Sequence, residues 1–85
     1  MMPLEQLTAL LQQAFPGDSV RVTSPMGDDN HFQCVIVSER FDGKTPVQRH
    51  QMVYAALGDA MREAVHALAL KTYTPSQWSK LSRSA

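Results

Sequence analysis

One cysteine, no net charge and no long apolar run leave this chain of 85 residues with few of the features that announce a function. Cys34 has no second cysteine to pair with, so no internal disulfide forms and a reducing compartment is expected. Eight basic and eight acidic residues cancel, which removes any global attraction to nucleic acid or anionic membrane. No apolar stretch approaches the ~20 residues that cross a bilayer. The start, Met1-Met2-Pro3-Leu4-Glu5, shows neither the basic nor the apolar region of a secretory signal. A cytoplasmic location without a membrane partner is the expectation. The motifs of autonomous catalysis are missing too: no G-x-S-x-G, P-loop, G-x-G-x-x-G, H-E-x-x-H or C-x-x-C occurs. Asp28 and Asp29 read as turn formers rather than an acid–base pair. No two of Gly17, Gly27, Gly43 and Gly58 stand three residues apart. The G-x-x-G loop by which KH domains grip nucleic acid is therefore absent. An enzyme is not expected.

What is present describes one packed domain. Hydrophobic residues make up 44% of the chain and charged residues 19%, a balance that supports a core and argues against disorder. The length allows one domain over 1–85, with a core over 3–80 and 81–85 as a loose tail. The charges are unevenly placed. Residues 1–42 hold Arg21 and Arg40 against six carboxylates, whereas residues 43–85 hold six cations against Asp59 and Glu63. A polarised surface is compatible with that asymmetry.

Leu4, Leu7, Leu10, Leu11 and Ala14 recur at helical spacing and predict a helix over 3–15. Pro16 and Gly17 end it. Val20 and Val22 alternate within a short strand over 19–23, and Ser24 to Asn30 is a loop by composition. Phe32 to Val37 reads as a second strand, apolar at almost every position, so that both faces are covered or one awaits a partner. A turn follows at Phe41-Asp42-Gly43-Lys44. Thr45-Pro46-Val47-Gln48 and Thr74-Pro75-Ser76-Gln77 then repeat one helix-start signal, a Thr cap, Pro at the first helical position and Gln three residues on. The first opens a helix with an apolar line through Val47, Tyr54, Leu57 and Met61, broken near Gly58 into two pieces. The second opens a short helix holding Trp78 and Leu81. Val65 to Thr72 reads as the third strand.

The order is helix, strand, strand, helix, helix, strand, helix. A short loop makes the first two strands antiparallel neighbours, and the helical crossover makes the second and third parallel. This is the αββααβ order of the type II KH-like fold, an α/β (α+β) class with a three-stranded mixed sheet and helices on one face. Parallel neighbours begin at the same sheet edge, ~4.8 Å apart. His31 precedes the second strand and His66 begins the third, so their imidazoles share that edge and could serve one metal. A strand-end histidine bonded to backbone or water is the ordinary alternative for His66, and a solvated loop histidine for His31. His50 falls in the apolar register of the long helix as a partly buried residue. Cys34 reads as an inert thiol packed with Phe32 and Ile36. Two histidines do not complete a tetrahedral site, so a metal there needs outside ligands.

Val37-Ser38-Glu39-Arg40-Phe41-Asp42-Gly43-Lys44, Val47-Gln48-Arg49-His50, Val53-Tyr54-Ala55-Ala56-Leu57 and His66-Ala67-Leu68-Ala69-Leu70-Lys71-Thr72-Tyr73-Thr74-Pro75 with Trp78 together resemble the BolA family. The likeness is close over residues 31–78 and covers the N-terminal helix and first strand in pattern only. It implies a non-enzymatic partner of monothiol glutaredoxins of the CGFS type. In such pairs a [2Fe-2S] cluster is bridged between the two proteins, with the glutaredoxin cysteine and a glutathione thiol supplying the other ligands. The chain alone would hold no cofactor. The family's C-terminal histidine ligand maps onto His66, and its second ligand, in the loop before the second strand, onto His31. Cys34 does not match the position of the cysteine that some members place there. Imidazole in place of thiolate raises the reduction potential of such a cluster and couples its ligation to pH. That chemistry suits iron homeostasis or cluster transfer.

The resemblance carries a second implication, a DNA-binding transcriptional regulator with a helix-turn-helix reading from Val47 onward. Lys44, Arg49, Lys71, Lys80 and Arg83, with His50 beside them, would then line a nucleic-acid or partner surface. Zero net charge and the missing G-x-x-G weigh against it. A second copy of the chain is a further partner to be considered when no other is present.

Overall fold

The computed structural model describes residues 3–27, 31–58 and 67–84. Helix α1 spans Leu4–Ala14, one residue shorter at each end than its periodicity predicts. Leu7 and Leu11 are fully buried, while Leu4, Leu10 and Ala14 pack against the same core. Phe15 leaves helical geometry, and Gly17 turns the chain at φ +79, a conformation that glycine adopts without a Cβ penalty.

Three strands follow: β1, Ser19–Thr23; β2, His31–Val37; and β3, Ala67–Tyr73. They form one sheet in the order β1-β2-β3, antiparallel for the first pair and parallel for the second, as loop length and crossover predict. Val20 pairs with Ile36 and Val22 with Cys34; on the other side Phe32 pairs with Leu68 and Cys34 with Leu70. Side chains directly opposite one another share a face, so these residues form one apolar surface against which α1 packs. The other face decides between the two alternatives left by the sequence, in favour of one uncovered face. Gln33 is exposed, Val35 is half-buried, and of this row only Val37 is buried. The second face of β2 is therefore open over most of its length.

Beyond β2, the Ser38 amide donates to the Tyr73 carbonyl at 3.0 Å, extending the parallel ladder one step. The turn expected at Phe41–Lys44 is present, where the Lys44 amide donates to the Phe41 carbonyl at 3.1 Å, and a 3₁₀ turn over Glu39–Phe41 leads into it. The Ser38 hydroxyl accepts from the Arg40 amide at 3.1 Å and starts the 3₁₀ turn. The 3₁₀ turn drives Phe41 into the core, with its ring centroid 5.5 Å from that of Phe15. It also aims Arg40 back at α1, where Nη1 donates to the Ala14 carbonyl at 2.6 Å above the Phe15 ring. A helix-end carbonyl that would otherwise lack a partner is thereby satisfied.

Helix α2 spans Pro46–Leu57 and α3 spans Pro75–Ser84. Both helix starts form the predicted reciprocal cap. The Gln48 amide donates to Thr45 Oγ1 at 3.1 Å and Gln48 Oε1 accepts from the Thr45 amide at 2.9 Å. At α3 the matching distances are 3.2 and 2.9 Å. Two expectations need correction. The buried line of α2 runs through Arg49, Val53 and Leu57, whereas Val47 is 66% and Tyr54 40% exposed. Positions four apart share a helix face, and the line begins on an arginine that hydropathy alone assigns to solvent. The tail expected to be loose from residue 81 is helical through Ser84, the last described residue, because α3 continues to it. Helix α2 ends where Gly58 was expected to break it, at φ 55 and ψ −129. The second helical piece, with Met61, lies outside the described residues.

Candidate functional site

The described strands meet the geometric condition set by the topology. His31 opens β2 and pairs directly with Ala67, the first residue of β3. His66 is covalently joined to Ala67 and lies outside the described residues, as do Asp28 and Asp29. His31 is half-buried and alternates with the core residue Phe32, so it belongs to the open face with Gln33 and Val35. Among the described residues no group of three or more His, Cys, Asp or Glu side chains is assembled for a metal. His31 thus offers one imidazole at a sheet edge, and a tetrahedral site there takes its remaining ligands from elsewhere.

Cys34 is 1% exposed, between Phe32 and Ile36 on the core side of β2. Burial pushes its thiol up to about 12, because the thiolate would lose its hydration there. It stays protonated at neutral pH and is no nucleophile or soft-metal ligand in the folded chain. That agrees with the inert packing role its position suggested.

The cations expected to form one surface are brought together only in part: Arg49 and Lys80 line one groove, and Lys71 stands on the sheet. Lys71 lies on the open face of the sheet and is exposed. Lys44 is exposed in the turn before α2, and His50 is half-buried on α2 with its ring edge-on to Tyr54 at 6.3 Å. Arg49 is not a surface group. It is 9% exposed, its Nε donates to the Lys44 carbonyl at 3.1 Å, and its guanidinium lies 5.8 Å from the Phe41 ring centroid. Nη1 donates to Gln77 Oε1 at 2.9 Å and reaches the Thr72 carbonyl at 3.4 Å. One guanidinium so ties α2, β3 and α3 together. Lys80 and Leu81 stand over it, beside Tyr73, along a shallow groove of about 490 Å³. Trp78 flanks that end of the sheet, its ring 5.5 Å from Tyr73 and 40% exposed.

Sequence reasoning passed over Arg21. The register pairs Arg21 with Val35, and Val35 with Lys71, so two cations stand in one cross-strand row on the open face. Alternation in the first strand signals which face Arg21 takes, but its proximity to Lys71 depends on a register that no local pattern supplies.

With the geometry in hand, comparison with known proteins is specific. A family profile described as BolA-like protein matches residues 11–77. The DNA-binding transcriptional regulator BolA of Escherichia coli K12 is 41% identical over 80 residues, covering 91% of this chain and 76% of that one. Human BolA-like protein 1 is 46% identical over 59 residues, which are 69% of this chain and 43% of that protein. This chain thus corresponds to less than half of the human relative. Among solved structures, a BolA homologue from Coxiella burnetii superposes with a TM-score of 0.78 at 34% identity, covering 93% of this chain and 99% of that one. No helix among the described residues is long and apolar enough to cross a membrane.

Proposed function

This chain belongs to the BolA-like family, and we propose on that premise that it is a non-enzymatic partner of a CGFS monothiol glutaredoxin. The two proteins share a bridged [2Fe-2S] cluster for which this chain supplies His31 and His66. The observation that carries the reading is the direct pairing of His31 with Ala67, the residue to which His66 is joined. The cluster, when bound, supplies redox and iron-transfer chemistry. The chain's own contribution is imidazole donors at the edge where β2 and β3 begin side by side. Pairing with Ala67 fixes the backbone of His31, and pre-organisation of that kind lowers the entropy lost on ligation. Cys34, neutral in the core, supplies no thiolate, so the thiols come from the partner and from glutathione.

The proposal is tested by reconstituting the chain with a CGFS glutaredoxin, iron, sulfide and glutathione. A coloured complex containing both proteins is expected, and His66→Ala is expected to change its spectrum or its lability. An unchanged spectrum in that variant removes the central element of the reading.

The name of the Escherichia coli relative favours a second reading, direct DNA binding. Retention on DNA at low salt, falling steeply as salt rises, is its signature. Lack of retention at low salt dismisses it.

A further inference from the structure

The open face of the sheet has a chemistry of its own. None of the three strands contains an Asp or a Glu. On this face Arg21, Val35 and Lys71 stand in one cross-strand row. Adjacent strands are ~4.8 Å apart, so the two cations flank Val35 across roughly 10 Å of backbone. Arg21, Gln33, Ala69 and Lys71 are exposed, and Val35 is half-buried. Because Ala69 is small, a depression of about 120 Å³ opens beside Val35, with Gln33 and Lys71 on its walls. It has room for about one aliphatic side chain. His31 lies on the same face, four residues before Val35, roughly 13 Å along the strand at ~3.3 Å per residue.

We propose that this face is where the cluster-sharing partner docks, and that the partner presents an acidic surface. Two carboxylates about 10 Å apart would meet Arg21 and Lys71, and an apolar side chain between them would fill the depression beside Val35. The inference rests on the glutaredoxin reading and adds the chemistry of the contact. A protein that brings ligands to His31 lies over the rows next to it. Those rows carry two cations and no anion, so only a surface of opposite sign gains from the approach. A nucleic acid fits less well. Single strands are held by exposed aromatic rings, and here Tyr73 is half-buried beside Trp78 at the far end of the face.

The test compares affinity for a CGFS glutaredoxin, loaded with cluster and glutathione, across charge variants of the full chain. Arg21→Glu/Lys71→Glu is expected to weaken the complex by ~10-fold or more at low salt, with the cluster spectrum unchanged in the complex that remains. The control Gln12→Glu/Gln13→Glu/Gln51→Glu/Ser82→Glu makes the same change in net charge at exposed helix positions outside the sheet, and its affinity is expected to stay within ~3-fold of the parent. Ala69→Leu, which fills the depression without altering charge, is expected to weaken binding as well. All variants are checked by circular dichroism for retained structure. If the parent forms no complex, both the glutaredoxin reading and this inference fail. If the parent binds and the Arg21/Lys71 reversal binds equally well, the inference fails and the reading stands. Loss of nucleic-acid retention in the reversal, with glutaredoxin affinity intact, also overturns it.

Discussion

Arg49 and Gln77 meet through a single oxygen: Gln77 Oε1 accepts from Arg49 Nη1 at 2.9 Å and from the Thr74 amide at 2.9 Å. The residue that closes the cap of α3 therefore also receives the buried guanidinium of α2. Removing the amide strands two donors at once, one of them charged. Gln77→Ala is expected to cost about 2 kcal/mol, the sum of a lost cap and an unsatisfied buried donor. Gln77→Glu keeps both acceptor contacts and places a carboxylate beside the cation, so its loss should be well under half of that. Urea denaturation of the two variants checks the ordering; equal losses would mean that the shared oxygen is not what matters.

The burial of Cys34 has a consequence in alkaline solution. Its thiol is raised from 9.0 to about 12, so between those values the unfolded chain has released a proton that the folded chain retains. The unfolded state binds fewer protons there, and stability falls as pH rises. The contribution is fully present below pH 9 and lost by about 12. The slope approaches ~1.4 kcal/mol per pH unit for one proton. Cys34→Ala lacks this term. Its denaturation midpoint should fall less between pH 8.5 and pH 10.5 than that of the parent; parallel curves would contradict the assignment. At pH 8 the native thiol should also resist alkylation until urea unfolds the chain.

Phe41 and Val47 provide a contrast that hydropathy would rank otherwise. Phe41 is fully buried beside Phe15, at the end of a 3₁₀ turn, and Val47 is 66% exposed on a helix. Phe41→Ala should cost about 3–5 kcal/mol, as aromatic cavities do. Val47→Ala should stay within ~0.5 kcal/mol. Thermal or denaturant melts give both numbers, and a large loss at Val47 would restore the helix face that periodicity alone suggests.

The sheet was legible because its signals are local and redundant. Alternation at Val20 and Val22, a dense apolar run from Phe32, and loop lengths on either side fix pairing direction without knowledge of the core. Both helix starts were legible for the same reason, since a Thr-Pro-x-Gln segment satisfies its own backbone. Arg49 was not. A long side chain can bury its stem and carry its charge to carbonyls supplied by distant segments, and here those carbonyls belong to Lys44 and Thr72. Nothing within four residues of Arg49 reveals them. The Arg21–Val35–Lys71 row was hidden likewise, because it spans three strands. His31 could be placed at a sheet edge from topology alone, whereas the chemistry assigned to that edge came from family resemblance.

The most direct measurement of the central claim is pulsed electron paramagnetic resonance on the reduced complex, with this chain labelled with ¹⁵N-histidine and the glutaredoxin unlabelled. A ¹⁵N coupling of directly ligated imidazole is expected in the parent, reduced or lost in His66→Ala and altered in His31→Ala. A cluster-containing complex that shows no coupling to this chain's histidines would contradict it.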